Sequence, residues 1–184
     1  MKKTLFLLLI LLNFQIVKSQ DSTIAKNKFE TFNSQTGTLL KTVEEQIDKV
    51  KDLSLSVITI KNVASGEELK ALHITKNASA FFGNIVLQDF TIDWEEIKGF
   101  NDALKYIKKQ VDAGKPNLNI YFTYSTSNGG YISAYYYKGA YGSIWKVTLG
   151  RKYKYSRMNI TGSDFDLKNK NIDDLTEAID GIIK

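Results

Sequence analysis

The stretch NIVLQDFTI (84–92) and the stretch NITGSDFDL (159–167) share one frame: Asn-Ile, then Asp-Phe, then an aliphatic residue, 75 positions apart. The frame extends in both directions without gaps. Leu69, Leu72 and Ile74 fall on Ile144, Val147 and Leu149, and Ile97, Phe100, Ala103, Leu104 and Ile107 fall on Ile172, Leu175, Ala178, Ile179 and Ile182. The second set is one helical stripe written twice. The chain therefore reads as an internal duplication. Two copies are too few to stack as a solenoid, so a pseudo-two-fold pair is expected.

Each copy holds extended segments followed by one helix. In the second, LNIYFTY and YISAYYYK alternate in polarity and are joined by STSNGG, whose Asn128-Gly129 pair signals a hairpin; SIWKVTL and YKYSRMNI follow after glycine-containing turns. The first copy offers LSLSVITI, ELKALHIT and AFFGNIVL at matching positions. Its opening segment, 36–50, has Leu40, Val43, Ile47 and Val50 at helical spacing, but the duplication asks for a strand there, and a strand is expected. Asp93, with Glu96 three residues on, reads as the N-cap of the first helix, which ends at Gly114; Asn171 reads as the opening of the second, with Asp173 and Asp174 at its positive end. The fold class expected is α+β: two tandem ββββα repeats, antiparallel sheets each packed by one helix. The first repeat spans 36–114 and the second 115–184, with the boundary near Lys115 beside the chain's only proline.

Residues 1–19 read as a secretory signal peptide. Lys2 and Lys3 precede an apolar run at 5–12, too short to span a membrane, and Val17 and Ser19 place cleavage before Gln20. A secreted or periplasmic protein is expected, with a polar N-terminal segment at 20–35. The absence of cysteine excludes disulfides and a lipoprotein anchor. Removing Lys2, Lys3 and Lys18 from 25 basic residues leaves 22 against 20 acidic ones, a balance that points to no particular partner.

The stretches FETFNSQTGTLLK (29–41), DFTIDWEEI (89–97), GGYISAYYYKG (129–139) and WKVTLGRKY (145–153) together resemble small exported proteins of Bacteroidota, over nearly the whole mature chain. That resemblance implies export and no active site. In topology alone, two four-strand-plus-helix units are also similar to whirly-type single-strand-binding folds, although no nucleic-acid motif accompanies the likeness.

Residues of catalytic type are sparse. His73 is the only histidine, it lies mid-strand in ALHIT, and with no cysteine beside it a His/Cys metal cluster is excluded. A Ser-His-Asp triad lacks a nucleophile-elbow sequence. Asp89 and Asp164, just after strands, read as turn residues that bind their own backbone. The acidic pairs Glu95-Glu96 and Asp173-Asp174 are explained by helix N-termini, and the acidic stretch 164–174 lacks the spacing and glycine of a calcium loop. No catalytic residue, metal ligand or cofactor site is assigned; an enzyme with an unrecognised site stays open as an alternative.

The copies differ most in aromatic content. Nine of the ten tyrosines lie between Tyr121 and Tyr155, with Trp145 among them. Period two in GYISAYYYK puts Ile132, Ala134 and Tyr136 on one face and Tyr131, Ser133, Tyr135 and Tyr137 on the other. The second set forms a tyrosine row facing either solvent or the other repeat. Arg151 and Arg157, in RKYKYSR, add charge nearby. The function expected is a non-catalytic binding module whose ligand, a glycan, a peptide or another protein, contacts Tyr131, Tyr135, Tyr137, Arg151 and Arg157. Interleaved rings and cations also suit single-stranded nucleic acid, but export and the small net charge argue against it as the physiological ligand.

Overall fold

In a computed structural model the described residues are 26–80, 83–139, 142–151 and 165–184; residues 1–19, read above as a signal peptide, the strand expected at 153–160 and Asp164 lie outside them. A short helix, α1 (Lys28–Asn33), precedes β1 (Leu40–Val50), β2 (Leu53–Asn62), β3 (Glu68–Ala80) and β4 (Gly83–Asp93). A 3-10 turn (Trp94–Glu96) leads into α2 (Ile97–Asp112). The second copy follows as β5 (Ile120–Ser125), β6 (Gly130–Gly139), β7 (Gly142–Arg151), β8 (Phe165–Leu167) and α3 (Asn169–Ile183). Each set of four strands is an antiparallel meander in sequence order. The protein is α+β, built from two ββββα units.

Segment 40–50 is strand throughout, so cross-strand pairing prevails over its helical spacing: its partner β2 supplies the hydrogen bonds, and Val43 and Ile47 stay exposed. The repeat frame needs one correction. Ile74 pairs with Leu55 and Leu149 with Ile132; Ile74 and Leu149 are 75 apart, but Leu55 and Ile132 are 77 apart. The β6–β7 hairpin is two residues tighter than β2–β3. Equivalence therefore runs at 75 from β3 onward and at 77 for β2 with β6.

The inner faces of both sheets and both long helices share one core. Leu55, Leu72, Ile74, Phe90 and Ile92 from the first sheet meet Ile132, Ala134, Val147, Leu149 and Leu167 from the second. The stripes Ile97, Phe100, Leu104, Ile107 and Ile172, Leu175, Ala178, Ile179 close it. Gly114, at φ 98, ends α2 in the left-handed region that a side chain disfavours.

The helix starts differ from the capping read in the sequence. Asp93 makes no cap bond to α2; its carboxylate accepts from the backbone N–H groups of Lys28 (2.9 Å) and Phe29 (3.1 Å), at the start of α1. Helix α3 begins at Asn169, and Asn171 sits in its first turn, accepting from the Lys168 N–H at 3.2 Å. Within the polar segment 20–35, residues 28–33 are helical because Asn27 caps them and Phe29 and Phe32 are buried. These two rings cover Ile58, Ile60 and Ala71 on the outer face of the first sheet, with Leu40 and Leu69 beside them.

Beside the shared core, the outer edge of the seam between the copies is polar. Asn128, in the β5–β6 turn, donates to the Thr91 carbonyl on β4; Asn27 donates to the same carbonyl at 3.3 Å and to the Thr91 hydroxyl at 3.1 Å. Glu96 accepts from the Ser127 N–H at 3.1 Å and from its hydroxyl at 3.0 Å.

Candidate ligand-binding face

Strand β6 sorts its side chains by period two, and the two faces have different fates. Ile132, Ala134 and Tyr136 face the core and are buried. On the outer face Tyr131 (7% exposed) and Ser133 are buried too, the latter bonded to the Thr148 hydroxyl at 2.6 Å, whereas Tyr135 (39%) and Tyr137 (48%) are exposed. The tyrosine row is therefore interrupted, and Tyr131 does not belong to the exposed part.

Neighbouring strands complete the exposed part. Tyr121 on β5 stands opposite Tyr135, 65% exposed, with ring centroids 6.4 Å apart at 62°. Tyr135 and Tyr137 lie 6.2 Å apart at 32°. Ile144 on β7 stands opposite Tyr137 and is exposed; Lys146 stands opposite Tyr135 and pairs with Asp166 at 3.4 Å. Tyr121, Tyr135, Tyr137 and Ile144 thus form a shallow apolar platform with a cation at its border.

The arginines fare differently from the tyrosines. The backbone of Arg151 pairs with Gly130, at the opposite end of the hairpin from Tyr137 and Ile144, and Arg157 lies outside the described residues. Reading SIWKVTL by period two on the paired register would have added Ile144 and Lys146 to the site. Strand membership alone brings in Tyr121.

Beside this edge, a cleft of about 570 Å³ opens between β7, the β8–α3 junction and the end of α2, lined by Val111, Trp145, Leu167, Asn169 and Ile172 among others. Trp145 forms its wall, held by an N–H bond to the Gly114 carbonyl at 2.8 Å and stacked on Phe122.

The outer face of the first sheet carries a polar cluster that sequence reading treated as separate residues. His73 on β3 lies between two carboxylates: Nδ1 is 2.8 Å from Glu44 on β1, and Nε2 is 2.6 Å from Asp89 on β4. The Ser56 hydroxyl donates to the same Glu44 oxygen at 2.5 Å. Asp89 is thus a strand residue bonded across the sheet to His73, not a turn residue. Only the imidazolium can donate to both carboxylates at once. Burial pulls the His73 pKa down, but the bonds to Asp89 and Glu44 more than reverse this, and it lies above its usual value. The Ser56 hydroxyl, then His73, hold Glu44 below the ordinary carboxylate range. With both ring nitrogens engaged and Ser56 directed at Glu44, the cluster presents no Ser-His pair. Among the described residues no group of three or more histidine or acidic side chains is arranged to hold a metal ion, and no helix is long and apolar enough to cross a membrane.

Compared with protein-family models and with curated proteins, the chain matches none.

Proposed function

We propose that the protein is exported and acts as a non-catalytic binding module whose ligand seats on the outer face of the second sheet. The observation that carries this reading is the platform of Tyr121, Tyr135, Tyr137 and Ile144, contiguous and exposed on a rigid sheet, with Lys146 at its border. Rings held by strand backbones lose little conformational freedom when a ligand covers them, and each offers an apolar face with a polar tip. Export is supported by the charged, apolar and small-residue order of residues 1–19.

Arrays of glycans, peptides and single-stranded oligonucleotides, probed with the mature protein and a Tyr121→Ser/Tyr135→Ser/Tyr137→Ser variant, test the reading. Loss of each ring should cost less than about 1 kcal/mol of stability, since cross-strand pairs at exposed positions are worth that much, while the ligand found should no longer bind. Tyr131→Ser, at the buried end of the row, should destabilise the fold. A stable triple variant with unchanged binding would remove this face from consideration. Retention of the oligonucleotides alone, with steep weakening by salt, would instead favour the single-stranded nucleic-acid reading.

A further inference from the structure

The pseudo-symmetry places the exposed platform on a surface that the first copy covers. Ile58 pairs with Ala71 and Ile60 with Leu69; at the equivalent positions Tyr135 pairs with Lys146 and Tyr137 with Ile144. In the first copy that patch lies beneath Phe29 and Phe32 of α1. Ile58 is 9% and Ile60 1% exposed, against 39% and 48% for Tyr135 and Tyr137. One geometry is thus filled in one copy and open in the other. The residue types follow the same division: aliphatic side chains where the cover is permanent, and tyrosines, which tolerate water and apolar contact alike, where it is absent.

Resting on the binding-face reading, we propose that the occupant is an amphipathic helical segment of a partner protein, docked as α1 docks on the first copy and bearing acidic side chains. Charge fixes the second property. In the first copy Asp93 receives the N-terminal N–H groups of α1, and Glu95 pairs with Lys28 at 3.0 Å. The equivalent residues are Lys168 and Lys170, both exposed, with Lys146 replacing buried Ala71. Thr91 has likewise become Asp166, which pairs with Lys146, so the change from an acidic to a basic surround rests on Lys168 and Lys170. The α1 segment of a second copy would bring Lys26 and Lys28 against these lysines, which disfavours exchange between copies. Two apolar anchors at i and i+3, as Phe29 and Phe32 provide, suit the platform of Tyr135, Tyr137 and Ile144.

The test titrates isotopically labelled mature protein with two helix-locked peptides, one of residues 27–35 and one identical but for Lys28→Glu, up to about 1 mM, the effective concentration that a tether supplies. The Glu-bearing peptide should move the amide resonances of Tyr135, Tyr137, Ile144 and Lys146 and bind at least about tenfold tighter than its parent, because like-charge contact is removed. Tyr135→Ser/Tyr137→Ser should abolish the shifts. Lys168→Glu/Lys170→Glu should reverse the preference between peptides. Absence of shifts at the platform, or shifts at Ile58 and Ile60 alone, would overturn the inference. Concentration-dependent dimerisation abolished by the tyrosine substitutions would overturn it in favour of a second copy. Binding of an oligosaccharide or oligonucleotide at the tyrosines without peptide binding would overturn the helix and leave the binding face standing; a ligand indifferent to the tyrosines would overturn both.

Discussion

Gly130 and Phe90 meet where the two copies join, and their coupling can be measured. A Cβ at Gly130 would lie 2.8 Å from the Phe90 Cδ2 and 2.8 Å from the Thr126 Oγ1. The Thr126 hydroxyl is fixed by Asn128 at 2.8 Å, and Phe90 is 2% exposed in the shared core, so neither neighbour yields freely. Gly130→Ala should therefore cost about 1–3 kcal/mol, the usual penalty for overpacking. Phe90→Ala should cost about 3–5 kcal/mol, from lost transfer energy and the cavity left behind. In the double variant the new methyl enters space that the ring vacated, leaving only the Thr126 contact to relieve. The combined loss should fall short of the sum by about 0.5–3 kcal/mol, the range for residues in contact. Urea denaturation of all four proteins, followed by circular dichroism and tryptophan fluorescence, gives the cycle. Coincident single transitions are expected because the core draws on both copies. Additivity within about 0.3–0.5 kcal/mol would show that these residues do not touch, and the packing of one copy on the other would have to be redrawn.

Two further variants address the first sheet. His73→Gln removes an imidazolium whose folded pKa is raised above its ordinary 6.5, so the lost stabilisation should be present in full below that value and vanish as pH rises through the raised one. Glu44 has the opposite sign: its contribution is present above 4.5 and fades as pH falls through its lowered folded value. Between those limits the two proteins should differ most in denaturation midpoint, and parallel pH profiles would refute the pairing. Asp93→Ala deprives Lys28 and Phe29 of their acceptor and should cost about 0.5–2 kcal/mol, as loss of a helix cap does. Faster hydrogen exchange at the amides of α1 should accompany it; unchanged protection would mean that the carboxylate does not hold the helix.

The duplicated helix stripes were legible because their periodicity reports a local geometry that burial then enforces: Ile97 and Ile172, Phe100 and Leu175, Leu104 and Ile179 are all buried as paired. The strand at 40–50 was legible only through the repeat. What stayed hidden depended on partners far along the chain. Asp93 and Glu96 have the spacing of a local cap, but their bonds go to Lys28, Phe29 and Ser127, over separations that no window near residue 93 contains. His73 and its carboxylates come from three strands, and the register that joins them follows from hairpin lengths. For the same reason gap-free matching concealed the tighter β6–β7 hairpin. Period two assigned Tyr131 and Tyr135 to one face correctly, but burial along that face is decided by what lies above it, and Tyr131 proved covered where Tyr135 is not.

The separation of the two apolar clusters explains how the copies can differ so far on one side while keeping a common interior. Phe29, Phe32, Ile58, Ile60 and Ala71 form a cluster that shares no residue with the main core, because alternate side chains of the same strands go to opposite faces. Replacing Ile58 and Ile60 by tyrosines at the second copy's equivalent positions thus leaves Ala134 and Val147 packed as before. Covering the platform would not require the core to repack, so a ligand seated there would draw on the rings' own exposed surface rather than on folding energy. The first copy cannot vary its outer face as freely. Its helix is bound to the seam through Asn27, which shares the Thr91 carbonyl with Asn128 of the other copy, so detaching α1 would also loosen the joint between the copies. A face that must stay closed to keep the halves together and a face free to open are the two outcomes of one duplicated sheet, and the free one is where recognition can occur without a structural penalty.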